Sequence, residues 1–321
     1  MDFRLDEEQA ALRDAARALC EHHFDLGAVA SREGVAITDS AWRALAEMGV
    51  FGLLVPDEPG GAVESAIVFE QLGMHVASGP LRWTAIAAPL VRTAATGATR
   101  VTGIDAESSR APYVIEHAAE SDALVVLRAD RVEQSATANL VPSIASTPLD
   151  PLTPADAFDV PPEGDVIGDA DDASRLRTSG AILAAAELIG AAQGALAVAT
   201  AYAVERHQFG VPIGSFQAVK HLLADMYVRV ELARSAVYAA AAILDEPRAG
   251  DVAVAASAAK LLAGDAGITN SKSAVQVLGG MGFTWEMLPH YFLKRSWLLE
   301  HSFGTGDEHA LALGEAVASW I

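Results

Sequence analysis

The chain has 321 residues, enough for one to three domains, and is 51% hydrophobic but only 6% aromatic. An apolar fraction supplied largely by alanine favours close-packed helices over a β-sandwich. The formal net charge of −20 repels phosphate backbones and anionic lipid, so nucleic-acid and membrane-surface partners are not expected. A local basic pocket still admits CoA, because salt confines the acidic field to within ~8–10 Å. Cys20 is the single cysteine, which excludes an internal disulfide and a cysteine-based metal cluster and reads as a small core residue. The N-terminus is charged from Asp2 to Glu8 without an apolar signal core. No run is read as approaching the ~18 apolar residues of a membrane span, and the expected location is cytoplasmic.

Residues 1–96 read as an N-terminal helical domain. Asp6 and Gln9 form a capping-box pattern, after which Leu12, Ala16 and Leu19 share a helical face. A second helix starts near Thr38 and carries Trp42, Leu45 and Met48. VPDEPGG (55–61) is a loop by composition, and a third helix follows through Ile67, Phe69 and Leu72.

Residues 97–173 read as a small β domain, with strands at Tyr113–Ile115 and Ala123–Leu127. The proline- and aspartate-rich stretch 148–165 reads as turns between short strands. Residues 174–321 return to long helices: about 179–206, 214–243, 251–277, 287–301 and 307–319. In the second of these Phe216, Val219, Leu223, Met226, Val230, Ala233, Val237 and Ala240 form one apolar seam, as in a bundle helix.

Two segments carry the candidate chemistry. In ERHQFGVPIGSFQAVKHLLADM (205–226), Arg206 at a helix C-terminus with Phe209 in the following turn can grip a pyrophosphate and cover a ring edge. Read alone, the pair is better explained as a C-capping cation and a core aromatic. In QVLGGMGF (276–283) the glycines offer backbone N–H groups to a phosphate, or simply stop a helix. His301, Glu308 and His309 read as solvated helix-end residues, so no metal site is expected. Trp285, Glu286 and His290 read as structural.

Taken in order and spacing, RxxFG, FQAVKHLLADM and QVLGGMGF resemble the C-terminal domain of acyl-CoA dehydrogenases. FRLDEEQAALRDAAR (3–17) and LVPDEPGG (54–61) resemble that family's opening helix and substrate-mouth loop. The likeness covers both helical regions. It implies a mainly α fold of three parts: N-terminal helical domain, reduced middle β domain and C-terminal four-helix bundle. It further implies FAD as cofactor, with its ADP half held by Arg206, Phe209, Gln276, Gly279 and Gly280 across a subunit interface, and Thr305 as a further contact. The implied reaction removes an α-proton and a β-hydride from an acyl-CoA, with electron-transferring flavoprotein as electron acceptor.

The chain departs from the family at the base. Where many members have Tyr-Glu-Gly-Thr, the same spacing after Gln276 gives Ser302-Phe303-Gly304-Thr305, and phenylalanine accepts no proton. Where others place the base one helix earlier, this chain has Gly180. Glu300 and Glu187 are the remaining candidates for a relocated base. The family's Thr-Glu-Pro and Gly-Lys stretch, which holds the flavin ring, is also missing. The resemblance therefore points to the short subunit of a heteromeric, α2β2 acyl-CoA dehydrogenase of bacterial steroid catabolism. A longer partner subunit supplies base and flavin pocket, and the pocket beside Phe303 is expected to be closed or too apolar to orient a thioester. The alternatives are a self-sufficient homomer with a relocated base and a non-redox scaffold.

Overall fold

The computed structural model describes residues 5–142 and 147–318. Five helices come first: α1 Glu7–His23, α2 Asp39–Glu47, α3 Ala62–Met74, α4 Leu81–Ala87 and α5 Arg92–Ala95. Six strands follow: β1 Val101–Asp105, β2 Tyr113–Glu116, β3 Ala123–Leu127, β4 Arg131–Ala136, β5 Ala155–Phe158 and β6 Asp165–Asp169. After them come α6 Ala170–Glu205, a tight hairpin of β7 His207–Gln208 and β8 Val211–Pro212, then α7 Gln217–Asp245, α8 Val252–Leu278, α9 Pro289–His301 and α10 Gly306–Ala318. This is the three-part, mainly helical architecture expected from the sequence.

The capping box opens α1 as read: Asp6 Oδ1 accepts from the Gln9 amide at 2.8 Å, and Gln9 Oε1 accepts from the Asp6 amide at 3.2 Å. Cys20 is buried, and burial pushes its thiol up to about 12. Trp42 of α2 stacks on Phe51 at 4.5 Å and donates to the Gly97 carbonyl at 2.8 Å. The first turn of α3 has no local side-chain cap. Asp245, at the far end of α7, accepts from the Ala62 and Val63 amides at 2.7 and 3.1 Å, which fixes the exit of the 55–61 loop against the bundle.

Helix α3 is buried along most of its length and lies directly on α6. The approach is backbone to backbone. A Cβ on Gly73 would come 2.1 Å from the Glu187 carbonyl oxygen, and one on Gly190 would come 2.1 Å from that of Glu70, so only glycine fits at this crossing. Helix α6 then runs through the bundle against α7, α8 and α9, while α10 packs on α8.

The main sheet has the order β1-β3-β4-β6, with β1 parallel to β3 and the other pairs antiparallel; β2 and β5 form a separate antiparallel pair. Strand alternation divides β3 between two cores. Ala123, Val125 and Leu127 join the helical core, while Leu124 and Val126 pack with Ile104, Ile115 and Phe158. Arg295 of α9 ties the layers together. It donates to Asp150 Oδ2 at 2.5 Å and to the Ala77 carbonyl at 2.6 Å.

Four readings are corrected. Within 148–165, residues Ala155–Phe158 form strand β5, because partners on β2 pair with them. Helix α6 starts at Ala170, well before Ser179, since Asp169 caps it through the Asp171 and Asp172 amides. The α7 seam is buried from Met226 through Ala240, but Phe216 is 39% exposed and Val219 and Leu223 are only half-buried. Finally, α6 and α8 are long and apolar enough to cross a membrane by length and composition alone. Their apolar surface is spent largely on the bundle in α6, whose apolar window is 78% buried; in α8 the figure is 44%.

Candidate functional site

The loop Ser302–Thr305 follows α9, and Phe303 turns through the left-handed region at φ 58°. Three carbonyls, one in the last turn of α9 and two in the loop, are held by side chains of α8 and α10. Lys260, fully buried in α8, donates to Glu300 O at 2.7 Å and Gly304 O at 2.9 Å. His309 Nε2 lies 3.0 Å from Phe303 O. Burial pushes the Lys260 amine down to about 7 and holds His309 below the usual histidine range. So clamped, the buried Phe303 ring packs 5.0 Å from Trp83 and directly over Gly180. The two positions that the resemblance implies for the base, 303 and 180, are therefore a single place in space, and no carboxylate occupies it.

Behind the ring lies a buried charge cluster. Arg82 of α4 is ion-paired with Glu187 of α6, stands 3.6 Å from Glu116 of β2, and sits 5.8 Å above the Phe303 ring. Burial pushes the Glu187 carboxyl up, and Arg82 and Arg295 offset that only in part. Glu187 lines a cavity of about 30 Å³, one water in size, together with Arg82 and Arg295.

In front of Phe303 a pocket of about 600 Å³ opens between the β region and α9, walled by Trp83, Trp297 and Leu149. Ser108, Ser109, Arg110, Glu116 and Glu308 bring polar groups to it. Of the two expectations for this pocket, closed or too apolar, the first is corrected: the space in front of Phe303 is open. Neither Glu300 nor Glu187 lines it. Glu300 accepts from the Gly306 amide at 2.7 Å and pairs with His301 at 3.0 Å, which makes it a cap for α10. The carboxylates that do line it are Asp105, Glu308 and, beside Arg82, Glu116. Glu116 went unread in the sequence, as did Arg82, although a lone arginine in the apolar run 81–91 signals a buried partner.

The second locus is at the other end of the bundle. Arg206 caps α6, its amide donating to Tyr202 O at 2.8 Å, and the Ile213 amide returns to Arg206 O at 2.7 Å. Between them Phe209 (φ 52°) and Gly210 (φ 83°) form the hairpin tip, with Phe209 93% exposed. Helices α7 and α8 pack antiparallel; Asn270 Nδ2 donates to Met226 O at 2.9 Å. This register places Gln276, Gly279 and Gly280 at the same end as the hairpin, and Ala203, Ile213, Val277 and Leu278 share one apolar cluster beneath them. All three residues are exposed. No atom lies within 4 Å of where a Cβ on Gly210, Gly279 or Gly280 would stand. The surface is an open glycine cradle beside an arginine without an ion pair among the described residues, which fits an incoming pyrophosphate.

Five of the six predicted contact residues are brought together in this way; Thr305 is not. It lines the pocket beside Phe303, where its amide and hydroxyl donate to Glu308 at 2.8 and 3.1 Å. Gly180 and Arg206 are separated by roughly 40 Å along α6 at the α-helical rise of 1.5 Å per residue. That is too far for one dinucleotide to touch both loci of one chain. Trp285 departs from its structural reading: it is 61% exposed, close to Gln276.

Fold and loci together define a mainly helical scaffold with a pocket beside Phe303 toward one end of α6 and an exposed glycine cradle at the other. Family models for the acyl-CoA dehydrogenase N-terminal domain and C-terminal domain match residues 6–100 and 174–318, and the chain belongs to the acyl-CoA dehydrogenase family. It is 31% identical over 305 residues to acyl-CoA dehydrogenase IpdE2 of Mycolicibacterium smegmatis, covering 91% of this chain and 93% of that one. Among solved structures it is similar to the ChsE4-ChsE5 complex from Mycobacterium tuberculosis (TM-score 0.84, 21% identity, 99% of each chain). It is also similar to the Tcur3481-Tcur3483 steroid ACAD (TM-score 0.80, 21% identity, 98% of each chain).

Proposed function

We propose that this chain is one subunit of an FAD-dependent acyl-CoA dehydrogenase that acts in the cytoplasm on a bulky CoA thioester. Its exposed end holds the ADP half of FAD through Arg206, Phe209, Gln276, Gly279 and Gly280, and a longer partner subunit provides the base and the flavin-ring pocket, as in an α2β2 assembly. The observation that carries this reading is the packing of Phe303 on Gly180, which leaves no carboxylate at either base position, roughly 40 Å along α6 from an intact phosphate cradle. FAD, when bound, supplies the acceptor for the β-hydride. The residues of this chain orient its pyrophosphate by charge-assisted hydrogen bonds and backbone amides. Likeness to a steroid ACAD and to the two-protein ChsE4-ChsE5 complex supports a polycyclic acyl group and a heteromeric assembly. Electron-transferring flavoprotein is the electron acceptor in this reading.

The deciding experiment is purification of the chain alone and together with the product of a neighbouring gene for a longer homologue. The expected result is flavin absorbance only in the complex, and loss of turnover when the partner's carboxylate base is removed. A yellow homo-oligomer with stoichiometric FAD overturns it.

One observation favours a second reading. Glu116 faces the 600 Å³ pocket with its side chain 21% exposed, where a relocated base in a self-sufficient homomer would stand. Glu116→Gln separates the two: loss of turnover with flavin retained supports the homomer, and unchanged turnover in the complex supports the heteromer.

A further inference from the structure

A third concavity, of about 740 Å³, lies away from both loci. It opens between α1 and α7 over α3 and α6, and Arg13, Arg17, Gln71, Gln193, Arg234 and Tyr238 are among its walls. Gln193 stands midway along α6 between Gly180 and Arg206, roughly 20 Å from each at the α-helical rise of 1.5 Å per residue. The floor is a closed network. Arg234 donates to Glu70 Oε1 through Nε and Nη2 at 3.0 and 2.8 Å and is ion-paired with Glu231. Tyr238 donates to Glu70 Oε2 at 2.8 Å. Both carboxylates are thereby engaged, and Glu21, which also lines the space, bonds to none of these groups.

What remains above that floor is a set of donors. A guanidinium only donates, so a glutamine that meets one has its amide orientation fixed. Gln71 Oε1 accepts from Arg17 at 3.3 Å, and Gln193 Oε1 accepts from Arg234 at 3.2 Å. Both amide nitrogens are left without a partner among the described residues, and Gln71 is 3% exposed. An amide on so deeply buried a residue calls for an acceptor. Arg17 has no ion pair among the described residues. Arg13, one turn earlier on α1, pairs only with Asp14, whose side chain is 61% exposed. Like charges one helical turn apart repel, and an anion between them removes that repulsion. Leu5 and Met74 give the same concavity an apolar wall, and its volume lies in the range of small-molecule sites.

We propose that this concavity binds an organic carboxylate with a short apolar tail, its oxygens on Arg17 and the Gln71 and Gln193 amides and its tail against Leu5 and Met74. A carboxylate is the planar two-oxygen acceptor that a guanidinium fork and flanking N–H groups match. The bound anion bridges α1 to α3 and α6, so it stabilises the folded chain by mass action. The site is separate from the pocket beside Phe303 and from the glycine cradle, and it does not depend on the function proposed for either.

The test is calorimetric titration of the full chain with octanoate, butyrate and inorganic phosphate, alongside the variants R17M, Q193L and R110M. Octanoate is expected to bind and to raise the thermal midpoint, with butyrate weaker for want of a tail and phosphate weakest. R17M should weaken octanoate binding by about tenfold to a hundredfold, the loss of one charge-assisted contact. Q193L should weaken it less, and both variants should keep the ligand-free midpoint of the unaltered chain, since neither side chain is deeply buried. R110M, altered at the pocket beside Phe303, should bind octanoate as the unaltered chain does. Absence of octanoate binding, or equal binding by R17M and the unaltered chain, overturns the proposal. Loss of binding in R110M alone overturns it too, by placing octanoate in the other pocket. Phosphate bound more tightly than octanoate rules out the tail contact. Binding by the isolated chain that vanishes in the complex with the partner subunit would make this face a protein contact instead.

Discussion

The Phe303 ring lies on the Cα of Gly180: a Cβ at position 180 would stand 2.4 Å from the ring carbons Cε1 and Cζ. The two positions that the resemblance implies for the base are filled by a single aromatic side chain, and a side chain at position 180 would collide with it. Gly180→Ala should therefore destabilise the protein by about 1–3 kcal/mol through overpacking, although alanine is the better helix former by about 1 kcal/mol. In a Phe303→Ala background, itself costing about 3–5 kcal/mol, the same change should become neutral or stabilising. Denaturant unfolding of the four proteins gives the coupling; additive effects would mean the ring does not rest on Gly180.

Arg206 caps α6 through its backbone, and its side chain has no ion pair among the described residues. Arg206→Ala should leave the thermal midpoint nearly unchanged, since an exposed cation at a helix end is worth about 0.3–1 kcal/mol. FAD affinity in the complex should fall by roughly 1.5–3 kcal/mol, the value of a hydrogen bond to a charged group. A lowered midpoint with unaltered FAD affinity would make the residue structural.

The Arg82–Glu187 pair is buried under α4 and α6. Removing one partner strands the other. Arg82→Met should cost about 3–5 kcal/mol, whereas Arg82→Met with Glu187→Met should recover most of that loss. A double variant as unstable as the single one would show that the cluster is held by its other members, Glu116 and Arg295.

Lys260 gives the stability a pH dependence of definite sign. Its amine is pushed down to about 7 in the folded chain, from 10.5 in the ordinary state. Between those values the unfolded chain binds a proton that the folded chain does not, so unfolding becomes more costly as pH rises across that window, by up to about 1.4 kcal/mol per pH unit. Below about 7 both states are protonated and the slope vanishes. Lys260→Met should be less stable, through two unsatisfied carbonyls, and should lack this slope. Urea midpoints of both proteins from about pH 7 to about pH 10 test it; parallel curves would mean that Lys260 titrates normally.

The sequence alone determined what depends on neighbours along the chain. The Asp6–Gln9 capping box, the turn at Phe209-Gly210 and the glycine stop after Leu278 are local hydrogen-bonding and backbone preferences, and they stand where the residues put them. The family motifs likewise fixed Arg206, Phe209, Gln276, Gly279 and Gly280 as one surface, because helix length and register carry them to the same end of the bundle. Only the tertiary structure decided the rest. That Phe303 meets Gly180, that Asp245 caps a helix 183 residues away, and that Glu116 rather than Glu300 reaches the pocket are contacts between distant segments. So is the separation of Thr305 from the other predicted contacts. Strand β5 shows the same limit: Ala155–Phe158 has no strand signal of its own, and only the hydrogen bonds offered by β2 make it one. Local preference is set by residues within a turn or two, whereas pairing and packing are set by which distant surfaces the folded chain can bury together.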